Sequence, residues 1–195
     1  MIIDAMTAGD LDAALAIDLA SFHPSELGVG SAARHDANDG VGSAARHDAN
    51  DRNESKANVE ARKLRARQLE EELARPWARV RVARGDGGAV IGYSLYWHVA
   101  DELHLLNVAV APSERRRGIG RALMHELFEY ATQHGARRVL LEVRKTNVAA
   151  IRLYESLGFE HLRVRTRYYD DGEDALEMLA IVEPWPVVTR PRDPA

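Results

Sequence analysis

Residues 105–120 read LLNVAVAPSERRRGIG, and this stretch decides the fold of the 195-residue chain. The apolar run Leu105–Val110 has the length of a β-strand and stops at Pro112. From Ile119 onward, apolar residues recur at helical spacing until Gly135, which stands where a C-terminal cap is expected. The sequence therefore predicts a strand, a short loop and an amphipathic helix, in this order.

The loop between these two elements, Arg115–Gly120, is basic and carries two glycines. Glycine lets the backbone come close to a ligand, and the first N–H groups of a helix have no partners within the helix. Such a loop suits an anion like a pyrophosphate, and Arg115–Arg117 add cationic side chains. It is not a P-loop, because no Gly-Lys-Ser/Thr follows, and the three-glycine dinucleotide pattern is absent.

The composition sets limits on the class of protein. Apolar residues make up 46% and charged residues 29%, which is ordinary for one soluble domain of this length. The chain has no cysteine, so disulfides, thiolate metal sites and cysteine nucleophiles are excluded. The net charge of −4 disfavours direct contact with nucleic acid, and no apolar run reaches the roughly 20 residues that span a bilayer. Since no secretory signal pattern is present, we expect a cytoplasmic protein.

Further elements follow from hydrophobic spacing and turn residues. Asp10–Phe22 and Asn58–Ala74 are predicted as helices, with Asp10 as an N-cap. The basic residues Arg62, Lys63, Arg65 and Arg67 of the second helix could form an RNA-facing patch. Because glutamates neighbour them, we favour a solvated face held by salt bridges. The other predicted elements are a helix at Val148–Leu157 and strands at Trp77–Ala83, Ala89–Val99, Arg138–Arg144, His161–Tyr168 and Ala175–Val182. Together they predict an α/β (α+β) protein with a mixed sheet covered by helices.

A polar segment interrupts this pattern. Residues 28–39 read GVGSAARHDAND, and residues 40–51 repeat them letter for letter. Because this composition buries little surface, we expect a mobile insertion over 28–57 within one domain, 1–183, followed by a Pro-rich tail, 184–195. The recurring His35 and His47 are better explained as parts of a duplicated linker than as metal ligands.

Three side chains near the loop are candidates for chemistry. Alternation along Arg138–Arg144 places Glu142 on the same face as Arg144, so Glu142 is either paired with that arginine or a general base with a raised pKa. Asn147 is a natural N-cap whose amide could also reach a ligand. Tyr154 shares the apolar stripe of its helix, as a core tyrosine would.

Four segments lie in linked order around the glycine loop. They read LLNVAVAP (105–112), LEVRKTN (141–147), AAIRLYESLGF (149–159) and RYYDDGEDALEM (167–178). With the Arg115-x-x-Gly118-x-Gly120 motif, they resemble the GNAT acetyltransferases, which transfer an acetyl group from acetyl-CoA to an amine. Within that superfamily the chain is similar to the RimI-type ribosomal-protein-alanine N-acetyltransferases. The resemblance is close over about 100–182 and implies the GNAT fold, a mixed, mostly antiparallel sheet flanked by helices.

The resemblance also implies roles for single residues. Glu142 aligns with the proton acceptor of the family and Tyr154 with its proton donor. The acetyl and pantetheine arm would be held by Val108, Ala109 and Val110. The diphosphate would be bound by Arg116, Arg117, Gly118, Ile119, Gly120 and Arg121. The cofactor would also contact Asn147. No metal is implied. Tyr168 and Tyr169 could line the opposite wall of the site or serve ordinary packing.

The implied reaction acetylates the N-terminal α-amino group of a protein, for example a ribosomal protein. With a pKa of about 8, an α-amine is partly neutral at pH 7, whereas a lysine side chain near 10.4 is not. Because no cysteine can carry the acetyl group, we expect direct transfer in a ternary complex. The alternatives are a GNAT enzyme for a small amine or a lysine side chain, and a non-catalytic acyl-CoA-binding module. We expect a monomer or a weak dimer with no nucleic-acid or membrane partner.

Overall fold

The computed structural model describes residues 1–21 and 47–182, with side chains omitted for 47–58 and 61. Within these residues the chain forms one mixed sheet with helices on both faces. The helices are α1 (Leu11–Ser21), α2 (His47–Ala74), α3 (Ile119–His134) and α4 (Val148–Glu155). The strands are β1 (Ile2–Ala5), β2 (Ala78–Arg84), β3 (Val90–Val99), β4 (Glu102–Val110), β5 (Arg138–Arg144), β6 (Glu160–Arg165) and β7 (Ala175–Ile181).

The described strands lie in the order β1-β2-β3-β4-β5-β7-β6. Neighbouring strands run antiparallel, except for β4 and β5, which are parallel because α3 connects them. This topology confirms the predicted mixed, mostly antiparallel sheet, and it places the two parallel strands at the centre.

A β-bulge in β4 separates the two central strands. On β3, Leu95 is paired with Asn107 and Tyr96 with Leu105, so Leu106 has no partner opposite it. The parallel pairing of β4 with β5 ends at this point, and Leu105↔Leu141 is its last pair. The second half of β4 continues to pair with β3 alone, which leaves a gap between β4 and β5.

Two apolar cores hold the helices on opposite faces of the sheet. Burial of apolar surface contributes about 25 cal/mol per Å², so these two cores dominate the stability of the fold. One core joins the sheet to α3 and α4 through Leu103, Leu105, Val139 and Leu141 packed on Met124, Leu127 and Tyr154. The other core joins the sheet to α1 and α2 through Val80, Val82, Tyr93 and Leu95 packed on Ala14, Ile17 and Leu69.

Asp10 does not cap α1, and this prediction is wrong. A short 3-10 turn, Ala8–Asp10, precedes the helix. The Asp10 carboxylate accepts hydrogen bonds from the backbone N–H and the hydroxyl of Thr7, at 2.9 and 2.8 Å. Arg84 of β2 donates to both Asp10 oxygens, at 2.8 and 2.9 Å. Asp10 therefore completes a capping box and ties the start of α1 to the sheet.

The helix α2 begins at His47 rather than at Asn58. Residues 47–57, which the sequence predicts as part of the mobile insertion, are helical. The rest of the predicted insertion and the predicted tail, 184–195, lie outside the described residues. The charged face of α2 carries the expected ion pairs Lys63–Glu60 at 3.0 Å and Arg67–Glu71 at 3.3 Å.

Candidate functional site

The gap between β4 and β5 forms the centre of the candidate site. Residues Val108, Ala109 and Val110 pair with Ser94, Tyr93 and Gly92 of β3 on one side. On the other side, the described part of β5 offers them no pairing partner. Because buried backbone groups need hydrogen bonds, this edge of β4 is suited to an extended ligand that carries amide groups.

The glycine loop lies at the wide end of this gap and leads into α3. Gly118 has a φ of +82°, a left-handed conformation in which a side chain is strained, and Arg116 also has a positive φ of +64°. The turn directs the N–H groups of the first turn of α3, which begins at Ile119, away from the helix. The loop therefore offers N–H groups at the positive end of the helix dipole, an arrangement that suits an anion.

Gly120, unlike Gly118, does not have a left-handed backbone conformation. A Cβ atom at Gly120 would lie 3.5 Å from Leu153 and 3.9 Å from Val110, which is ordinary van der Waals contact. The protein itself thus leaves room for alanine at Gly120. These contacts also show that the first turn of α3 lies against α4 and the end of β4.

The arginines of the loop are exposed, but they differ in their hydrogen-bond partners. Arg115 donates to the Val110 carbonyl and to the Ser21 hydroxyl, both at 3.1 Å, so it braces β4 against α1. The Arg115 side chain is nevertheless exposed, so its availability for an anion stays a prediction. Arg117 donates to Glu114 in the same loop, and the side chains of Arg116 and Arg117 are exposed.

The helix α4 is fixed at both ends near this loop. Asn147 caps it, as predicted, since its side-chain oxygen accepts a hydrogen bond from the Ala150 N–H at 3.2 Å. Arg121 of α3 donates to the Ser156 hydroxyl at 2.8 Å, which joins the two helices. The Arg121–Ser156 bond and the packing of Tyr154 in the core hold α4 against α3 and the sheet.

Glu142 lies on the face opposite α4. Its neighbours in β5, Leu141 and Val143, are buried in the core under α3 and α4, which confirms the predicted alternation. Of the two alternatives left open for Glu142, the ion pair with Arg144 is not the one found, because another arginine binds this carboxylate. Glu142 accepts a hydrogen bond from Arg165 of β6 at 2.6 Å, and 28% of its side chain is exposed.

Arg144 has other partners on the loop before β7. It donates to Asp171 at 2.8 Å and to Glu173 at 2.6 Å, and its guanidinium lies 4.0 Å from the centre of the Tyr169 ring. Glu173 is held close to Arg144, because it also accepts hydrogen bonds from the backbone N–H and the hydroxyl of Thr146, just after β5. The loop carboxylates therefore bind Arg144 in place of Glu142. Glu142 is therefore left to Arg165.

Tyr154 lies on the opposite side of the sheet from Glu142. Its ring is buried in the core under α3 and α4 and packs on Phe159, with the ring centres 5.6 Å apart. In the described part of the chain, its hydroxyl makes no hydrogen bond, and burial raises its pKa to about 12. At neutral pH this phenol is therefore protonated and can donate a hydrogen bond or a proton. The tyrosine belongs to the core and to the candidate site at the same time.

A buried polar network anchors α1 and α2 beside the bulge. Asp18 of α1 accepts hydrogen bonds from Tyr93, from Asn107 at 3.0 Å, and from Arg65 of α2 at 2.5 Å. Burial, and then the charge of Asp18, raise the pKa of Tyr93 well above its usual value of 10. This network was not predicted from the sequence, and the prediction that Arg65 lies on the solvated face of α2 is wrong. The only sequence signal was Asp18, a charged residue within the apolar stripe of α1.

The described residues contain neither a metal site nor a membrane-spanning helix. Among residues 1–21 and 47–182, no three His, Asp or Glu side chains come together as a metal site would require. In the same ranges, no helix combines the length and the apolar character needed to traverse a lipid bilayer.

Comparison with known proteins was made at three levels. The family model of the acetyltransferase (GNAT) family matches residues 45–159, which is more than half of the chain. Over 94 residues, the chain is 43% identical to [ribosomal protein bS18]-alanine N-acetyltransferase of Escherichia coli strain K12. That match covers 47% of this chain and 64% of the relative, so it spans less than two thirds of the relative's length.

Two further matches agree with the first. An N-alpha-acetyltransferase of Sulfurisphaera tokodaii is 44% identical over 78 residues, which are 40% of this chain and 47% of that protein. The crystal structure of the ribosomal-protein-S18-alanine N-acetyltransferase from Escherichia coli superimposes with a TM-score of 0.66 at 26% identity. This superposition covers 93% of this chain and 94% of the other.

Proposed function

Because the chain belongs to the acetyltransferase (GNAT) family, we propose that it transfers the acetyl group of acetyl-CoA to the N-terminal α-amino group of a protein. The observation that carries the proposal is the gap between β4 and β5, which has the anion-binding loop at one end and Glu142 and Tyr154 on its two sides. The relative in Escherichia coli is named for N-acetylation of an alanine of ribosomal protein bS18, and the relative in Sulfurisphaera tokodaii is named as an N-alpha-acetyltransferase. A ribosomal protein is therefore the first acceptor to consider.

The residues present fit acetyl-CoA. The unpaired edge of Val108–Val110 matches the amide groups of a pantetheine arm, and the loop Arg116–Arg121 matches a diphosphate, with its N–H groups and its cationic side chains. Asn147 caps α4, and its side-chain amide would contact the same ligand. When bound there, acetyl-CoA supplies an activated thioester.

The two faces of the sheet divide the proton transfers. On the face that carries α1 and α2, the Glu142 carboxylate accepts the proton of the acceptor ammonium, directly or through a water molecule. On the α4 face, the protonated Tyr154 hydroxyl donates to the leaving sulfur. Backbone N–H groups of Val108–Val110 stabilise the oxyanion that forms in between. No cysteine is present, so the acetyl group passes to the amine without a cysteine-bound intermediate.

The proposal is tested with purified protein, labelled acetyl-CoA and a panel of acceptors. The panel contains a peptide that begins with alanine, the same peptide with a blocked N-terminus and a free lysine, and a polyamine. We expect acetylation of the free α-amine and much slower reaction of the two other acceptors, because a lysine or polyamine ammonium with a pKa near 10.4 is harder to deprotonate than an α-ammonium near 8.

Mass spectrometry of protein N-termini from cells with and without the gene then identifies the natural acceptor. Preference for the polyamine or the lysine peptide would overturn the α-amine proposal. Binding of acetyl-CoA without turnover on any amine would favour a non-catalytic module instead.

A further inference from the structure

Two carboxylates face each other beside the proposed site of proton transfer. Glu142 of β5 and Glu177 of β7 are directly opposite in the antiparallel pairing. Side chains in such a pair have their Cβ atoms about 5 Å apart and project from the same face of the sheet. The Glu177 side chain is only 8% exposed, so the two charges repel each other strongly unless cations neutralise them.

Two arginines of β6 supply these cations, and one of them reaches both carboxylates. Arg163 binds Glu177 at 2.5 Å. Arg165 donates to Glu142 at 2.6 Å, while its Nε atom lies 4.0 Å from the nearest oxygen of Glu177. A small rotation of the guanidinium would therefore exchange Glu142 for Glu177 as the partner of Arg165.

An aromatic ring is placed to support this rotation. The Arg165 guanidinium lies over the Tyr168 ring, 4.9 Å from its centre. Such a stack stabilises a cation without fixing which carboxylate it faces. Burial, followed by the charge of Glu142, raises the pKa of the Tyr168 hydroxyl, which keeps this ring neutral.

We infer that Arg165 is a movable counter-ion, which holds Glu142 in the free protein and passes to Glu177 when a cationic acceptor amine binds Glu142. Glu177 is then a positioning residue, because it receives the displaced arginine without touching the acceptor. The inference rests on the proposed function, since it needs an ammonium that competes with Arg165 for Glu142. The buried Glu177 therefore contributes to the affinity for the acceptor.

The test compares four variants with the wild type, using the alanyl peptide and saturating acetyl-CoA. Glu177→Gln leaves Arg165 no second carboxylate, so we expect the KM for the peptide to rise about tenfold, as for the loss of one charge-assisted hydrogen bond, while kcat stays within about twofold. Arg165→Gln removes the cation that competes with the acceptor for Glu142, so Glu177 no longer has an arginine to receive. The double variant Arg165→Gln/Glu177→Gln should therefore have the same KM for the peptide as Arg165→Gln alone.

Arg163→Gln is the matched control, because it breaks the other ion pair of Glu177 and leaves Arg165 in place. A purely structural role of Glu177 predicts that Arg163→Gln raises KM as Glu177→Gln does, and that the double variant remains impaired. Peptide affinity for each variant in complex with coenzyme A, measured by calorimetry, gives the same comparison without catalysis. Melting temperatures confirm that each variant is folded.

The outcomes separate the two proposals. Wild-type turnover on the α-amine together with an unchanged KM in Glu177→Gln would overturn the counter-ion exchange and leave the proposed function standing. Wild-type protein that neither binds nor acetylates an α-amine would overturn both.

Discussion

Glu142 and Tyr154 lie on opposite faces of the central sheet, beside the point where β4 and β5 separate. Glu142 projects from the face that carries α1 and α2, whereas Tyr154 belongs to α4 and is buried between this helix and the opposite face of the sheet. A ligand held in the gap is therefore accessible to a carboxylate from one side and to a phenol from the other. This separation keeps the proton acceptor and the proton donor of the proposed reaction apart.

Replacing the carboxylate at Glu142 should slow catalysis. We expect Glu142→Gln to lower kcat on the order of 100-fold, the usual contribution of a general base. The acetyl-CoA affinity should stay unchanged, because Glu142 lies on the face opposite α3 and α4. Steady-state kinetics and calorimetry measure the two quantities, and Glu160→Gln, at an exposed position of β6, is the control. A variant with wild-type kcat would remove Glu142 from the mechanism.

Tyr154→Phe tests the proposed proton donor. The ring packing is preserved and the hydroxyl makes no hydrogen bond within the described residues, so the melting temperature should change little. The rate of acetyl transfer should fall on the order of 100-fold, since the leaving sulfur loses its proton donor. Tyr96→Phe is the matched control, because Tyr96 is a buried tyrosine in the same core whose hydroxyl donates to Glu126. Equal rates for both variants would contradict the role of Tyr154.

The two glycines of the loop should respond differently to the same change. Gly118→Ala forces a side chain into a left-handed conformation, at a cost of about 1–2 kcal/mol, so we expect weaker binding of acetyl-CoA and lower stability. Gly120→Ala makes only ordinary van der Waals contacts and adds a good helix former, so stability should rise by about 0.5–1 kcal/mol with binding retained. Denaturant unfolding and calorimetry distinguish the two cases. Similar losses in both variants would show that the backbone conformation at Gly118 is not the cause.

Asp10 should make stability depend on acid pH. The Asp10 pKa lies well below its ordinary value of 3.8, and the largest cause is the hydrogen bonding from Arg84. A lowered folded-state pKa stabilises the protein above pH 3.8, and this contribution is lost as the pH falls through the folded-state value. We expect Asp10→Asn to reduce the free energy of unfolding by about 2 kcal/mol at pH 7, where the hydrogen bonds to a charged group are lost.

The difference between the wild type and Asp10→Asn should shrink at more acidic pH. Urea unfolding at a series of pH values measures it, and Asp12→Asn, at an exposed position of α1, provides the comparison. A difference that stays constant down to pH 2 would show that the Asp10 charge does not contribute.

Much of the candidate site could be predicted from local sequence. The spacing of apolar residues predicts α3 and α4, and alternation predicts the bounds of β5 and the outward position of Glu142. Asn147 was identified as a cap because a cap acts on the next few residues only. The prediction missed β1, since this four-residue edge strand has little apolar pattern of its own and depends on pairing with β2.

The sequence by itself determined the order strand, basic glycine loop, helix and strand, since short-range periodicity and turn chemistry fix each of these elements within a few residues. Only the tertiary structure decided that β4 leaves β5 after Leu105, that Arg115 bonds to Val110 and Ser21, and that Glu142 pairs with Arg165 instead of Arg144. These features depend on strand register and on competition between side chains distant in the chain. A single residue's type carries no information about which of several charged partners the folded backbone brings nearest.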